Sequence, residues 1–127
     1  MFKKAIVAEE LVKVARLLTG RKSSKLKKDI KLKSGDTYPR GTRVEIEWDD
    51  NKKAGFVQFE GQENPTEIPV TSLHKYLTGF MKPPGMKALE RHLSEALGKT
   101  VTGQGGIESD GYDRYGFPAW PRALGIV

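Results

Sequence analysis

No cysteine occurs in the 127 residues. That absence removes disulfide staples, thiolate nucleophiles and cysteine-ligated zinc together, and it favours a reducing compartment. Histidine is nearly as scarce. His74 and His92 stand alone, without HxxxH or HExxH spacing, so no imidazole-based zinc motif is available. Long hydrophobic runs are missing too: Glu9, Glu10, Lys13 and Arg16 interrupt the opening MFKKAIVAEELVKVARLLTG. A signal-peptide core or membrane span needs an unbroken apolar stretch, so a cytoplasmic protein without membrane contact is expected. The serines show no nucleophile-elbow pattern, and VTGQGG (101–106) lacks both the Lys-Ser/Thr and the following helix of a phosphate-binding loop. The expectation is a non-catalytic chain that carries no cofactor and no metal.

What is present in excess is positive charge, and it is concentrated. The chain has 22 Lys/Arg against 16 Asp/Glu, a net charge of +6. RKSSKLKKDIKLK (21–33) holds seven basic residues and one acidic one; outside it, 15 basic residues balance 15 acidic ones. Arg21, Lys22, Lys25, Lys27, Lys28, Lys31 and Lys33 are therefore the candidate contacts to the phosphate backbone of DNA or RNA. Lysine outnumbers arginine six to one here, which favours point-charge attraction over bidentate reading of bases, hence little sequence preference. The competing reading of the same stretch is a solvated connector. Tyr38 and Tyr112 are the candidate stacking residues.

At 127 residues, with 37% hydrophobic and 30% charged side chains, one globular domain is expected over 1–127. Val7, Leu11, Val14, Ala15 and Leu18 recur at helical spacing, predicting a helix over about 5–19 that Gly20 stops. The basic connector, 21–33, follows. TRVEIEW (42–48) then alternates Val44, Ile46 and Trp48 with Arg43, Glu45 and Glu47, a half-buried strand. Turn-rich DDNKKAG leads to a strand near Phe56–Phe59, and GQENPT to TEIPV, which Pro69 demotes to a short or edge strand. DIKLK supplies a further short strand with Ile30 and Leu32 inward, and TSLHKYLTG a helical turn. Met86, Leu89, Leu93, Ala96 and Leu97 line one face of a late helix, about 86–97, ended by Gly98.

Strand, long loop, hairpin, third strand and short helical turn over about 29–76 resemble the SH3-like or Tudor-like architecture in order, without a specific motif. The fold class expected is α+β: a small SH3-like or Tudor-like β-barrel, or a curled antiparallel sheet, flanked by the N-terminal and late helices. Trp48 shares its face with Val44 and Ile46, so a core role is expected for it rather than a place in an aromatic cage.

The tail, 99–127, is rich in glycine yet carries Phe117, Trp120 and Leu124. These are candidate anchors: internal ones if the tail folds back, external ones if it meets a protein partner. The external case is the alternative function, a protein-interaction or assembly module such as an inhibitor or adaptor of a larger complex. Glu108, Asp110 and Asp113 crowd ESDGYD, but the register of a calcium-binding loop fails there. Aspartates accepting backbone N–H bonds in a turn are expected instead.

Overall fold

The computed structural model describes residues 20–127, and the helix expected over 5–19 lies outside them. The chain is mixed α+β, built on a four-stranded antiparallel sheet with few helices. Its strands are β1 (Arg21–Lys25), β4 (Arg43–Asp49), β5 (Ala54–Gln58) and β6 (Thr66–Pro69), in the order β1-β4-β5-β6. β2 (Ile30–Lys31) and β3 (Thr37–Tyr38) form a separate two-stranded hairpin in the connection between β1 and β4. A 3₁₀ turn at Val70–Ser72 runs into α1 (Leu73–Tyr76), and α2 (Met86–Glu95) follows. β7 (Leu97–Gly98) pairs with β8 (Ile107–Glu108), and α3 (Trp120–Ala123) is the last element.

Two expectations change here. The sheet is not a closed barrel. Among the described residues a single isolated bridge, Leu26 to Leu77, is the backbone ladder between the end of β1 and the segment after β6. The first strand is also not DIKLK but RKSSK, part of the expected connector. β1 has no apolar alternation to announce it. It is a strand because β4 accepts it in register: Arg21 opposite Glu47, Ser23 opposite Glu45. Arg21 Nη2 lies 3.7 Å from Glu47 Oε2, and the Ser23 hydroxyl donates to Glu45 Oε1 at 2.7 Å.

β4 alternates as its sequence requires, with Val44, Ile46 and Trp48 buried and Arg43, Glu45 and Glu47 exposed. With Val57, Ile68, Leu73 and Leu77 they form the sheet side of the core. Gly55 permits close packing there, because a Cβ at that position would stand 2.9 Å from Leu73 Cδ2. Pro69 sits on the edge strand. The Val70 N–H to Lys53 O bond (3.3 Å) and the antiparallel register make Val70, Ile68 and Thr66 the bonded positions. Pro69 thus lacks only a donor that would have pointed away from β5.

The tail folds back. Phe117 and Trp120 are buried; Phe117 packs edge-on to Phe80 at 5.3 Å between centroids and lies 6.2 Å from Trp48. Leu124 is partly buried against the same core. The late helix is rotated from its expected phase. Leu89 and His92 face inward, whereas Met86 (70% exposed), Leu93 and Leu97 face outward. It ends at Ala96, which takes the left-handed conformation (φ 65°), two residues before the expected glycine.

Candidate nucleic-acid interface

The seven basic residues of 21–33 do not act alike. Arg21 is tied to Glu47 across the sheet. Lys22 is drawn inward: its Nζ donates to Gly79 O at 2.9 Å and lies 5.3 and 5.1 Å from the ring centroids of Phe80 and Tyr115. Both basic groups thus have partners within the chain. Lys25 is exposed and stands directly opposite Arg43 on β4, a like-charge cross-strand pair that opposes folding.

Residues 25–28 run alongside 74–78. The Thr78 N–H donates to Lys25 O at 3.0 Å and the Lys27 N–H to Tyr76 O at 2.8 Å. Lys27 Nζ reaches His74 O at 2.7 Å, and Lys28 Nζ lies 4.5 Å from the centroid of Tyr76. This strip carries the positive charge of the connector to α1. There it meets two lysines from far along the chain. Burial pushes the pKa of His74 down, and the charges of Lys27, Lys75 and Lys82 push it further in the same direction, against a weaker backbone contact at Thr71. Lys75 and Lys82 are the residues that sequence reasoning missed. Nothing local marks them; the pairing of 25–28 with 74–78 sets Lys27 beside Lys75, and Lys82 comes near enough for its charge to act on the same imidazole.

Lys31 and Lys33 are exposed and, with Lys28 and Tyr76, line a cleft between the β2–β3 hairpin and β6. The outer face of the sheet is mixed, with Glu45 and Glu47 beside Arg21 and Arg43. The excess positive charge therefore lies at the α1 edge and the adjoining cleft rather than on the sheet face. Neither candidate stacking residue is free. The Tyr38 hydroxyl donates to Glu60 O, its ring packing 4.8 Å from Phe59; Tyr112 donates to Asp50 Oδ2 at 3.1 Å with Arg122 over its ring.

Two carboxylates serve the fold. Asp113 is buried and accepts from the Thr100 and Thr102 hydroxyls and from the Tyr115 and Phe117 N–H groups, the turn chemistry expected of ESDGYD. Among the described residues no group of three or more His, Asp or Glu is placed to hold a metal. Asp50 is a second hub. Burial pushes its carboxyl up, but hydrogen bonds from Arg122 and Trp48 and the charges of Lys53 and Arg122 outweigh this and hold its pKa at about 2. His92 is buried, with Nε2 2.9 Å from Ile107 O, and serves as a brace between α2 and β8.

Compared with family models, curated proteins and solved structures, the chain gives no match. Among the described residues no helix is long and apolar enough to cross a membrane.

Proposed function

We propose that this chain is a non-catalytic domain that binds the phosphate backbone of DNA or RNA along the α1 edge, with little sequence preference, in the cytoplasm. The observation that carries the reading is Lys27 Nζ on His74 O at 2.7 Å, which sets it next to exposed Lys75, with Lys82 near enough for its charge to act on the same imidazole. Like charges brought together by folding raise its electrostatic cost, and an anion that neutralises them recovers it. Lys25 opposite Arg43 extends the same edge. Lysines here act as point charges, and with Tyr38 and Tyr112 engaged internally, phosphate attraction outweighs base stacking. The scaffold is an opened relative of the SH3-like or Tudor-like arrangement. The long hairpin connection, the 3₁₀ turn after β6 and the Leu26–Leu77 bridge support that reading.

Fluorescence anisotropy with mixed-sequence single- and double-stranded DNA and RNA tests it, from about 50 to 200 mM salt, with heparin as competitor. Binding that weakens steeply with salt and shows no sequence preference is expected. No binding at the low-salt end rejects the proposal.

A further inference from the structure

Beyond the α1 edge, β2 and β6 form the walls of a shared cleft of about 1090 Å³, with residues 28–34 on one side and 64–69 on the other. Both walls are strand edges that no described strand covers. β6 is the terminal strand of its sheet, and β2 pairs only with β3. On β6 the bonded positions facing β5 are Thr66 and Ile68, so the backbone N–H and C=O of Glu67 point away from the sheet. On β2 the Leu32 N–H to Asp36 O bond (2.9 Å) sets the same alternation, which turns the backbone groups of Lys31 away from β3.

Between these edges the cleft has an apolar lining from Ile30, Leu32 and Tyr76, and three lysines, Lys28, Lys31 and Lys33, rim it. Against them stand Glu67 and Asp29, and Asp29 Oδ1 already accepts the Arg40 N–H at 2.7 Å. We infer that this cleft takes a short extended segment of a partner protein, alternating acidic and apolar residues, added as a strand along the β6 edge. Main-chain bonds to Glu67 supply affinity, and alternate side chains reach the apolar lining and the lysines. Charge selects this occupant over the chain's own first 19 residues, which carry Lys3, Lys4, Lys13 and Arg16 against Glu9 and Glu10. Pro65 and Pro69 bracket the open stretch of β6. They deny a long sheet-to-sheet contact between two copies while leaving Glu67 available.

The test uses a synthetic peptide of alternating glutamate and valine, with the full chain followed by amide NMR and hydrogen exchange. The Glu67 amide should exchange freely in the unbound protein and become protected when the peptide binds. Glu67→Ala keeps the N–H and removes a repulsive charge, so it should bind at least as well as wild type. Glu67→Pro removes the outward donor without removing a bond to β5 and should weaken binding about tenfold relative to Glu67→Ala, one main-chain hydrogen bond's worth. Should Glu67→Pro fail to fold, Lys31→Glu/Lys33→Glu decides instead, and loss of peptide binding is expected. Equal affinities for Glu67→Pro and Glu67→Ala overturn the inference, as does unchanged binding by the charge-reversed pair. Equal binding of a lysine–valine peptide, a Glu67 amide already protected in the free chain, or protection by an oligonucleotide but not by the peptide overturns it as well.

Discussion

Arg122 closes onto Asp50, its Nη2 and Nε at 2.8 and 3.2 Å from the same carboxylate oxygen. The pair joins the β4–β5 turn to α3, positions 72 residues apart in the chain. Trp48 Nε1 donates to the other oxygen at 3.3 Å, so the hub also fixes the orientation of the largest core ring of the sheet. A tail that had to find its own place is thereby latched at a second point, beyond the packing of Phe117 and Trp120.

This latch makes stability depend on acid. The folded carboxyl titrates at about 2, below its ordinary value of 3.8. A depressed folded pKa contributes stability that is fully present above the unfolded pKa and is lost as pH falls through the folded one. Urea midpoints should therefore drop between pH 4.5 and pH 2, with Asp50 accounting for about 1–2 kcal/mol of the change. Asp50→Asn should lower the midpoint at neutral pH and flatten that part of the profile. A profile identical to wild type would show that the latch is idle.

Trp120→Ala should cost about 3–5 kcal/mol, because the ring is almost wholly buried and its removal leaves a cavity. Trp120→Phe should cost clearly less. The indole N–H is buried without a hydrogen-bond partner among the described residues, so losing it relieves a desolvation penalty while most of the ring volume stays. Denaturant midpoints of the two variants check this, and equal losses would contradict it.

Gly98 and His92 should be coupled. A Cβ on Gly98 would fall 2.3 Å from His92 Nδ1, a separation that neither atom can keep. Gly98→Ala should destabilise by more than 1 kcal/mol, roughly the penalty of overpacking a filled site. In a His92→Ala background the same change should be nearly neutral. A double-mutant cycle with no coupling energy would rule out this account of the glycine.

On the α1 edge, Lys75→Ala or Lys82→Ala should raise the pKa of His74 towards its usual value, because each removes a repelling charge. NMR titration of the imidazole reports it directly. The triple variant Lys27→Ala/Lys75→Ala/Lys82→Ala should also reduce the salt dependence of nucleic-acid binding, by about 0.7–0.9 in log–log slope for each phosphate no longer neutralised. An unchanged slope would move the interface elsewhere.

What depends on near neighbours was legible in the chain alone. The period of two in TRVEIEW sends Val44, Ile46 and Trp48 to one side whatever lies across from them. One acid of each turn bonds nearby backbone, Asp49 the N–H groups of Asn51 and Lys52, Asp113 those of Tyr115 and Phe117, whereas Asp50 reaches Arg122 far along the chain. The proline in TEIPV marked an edge because a residue without an N–H fits a ladder only where that donor would face outward, away from the neighbouring strand. Long-range pairing settled the rest, for reasons that local pattern does not carry. RKSSK is a strand because β4 pairs with it along its whole length, from Arg21 opposite Glu47 to Lys25 opposite Arg43. The helical stripe of α2 admits more than one phase, since spacings of three and four residues both fit a turn of 3.6; packing chose the one that gives His92 both Ile107 O and the space left by Gly98. The basic edge followed the same rule. Lys27 met Lys75 through the pairing of 25–28 with 74–78, a meeting of segments distant in the chain that no short pattern in either one records.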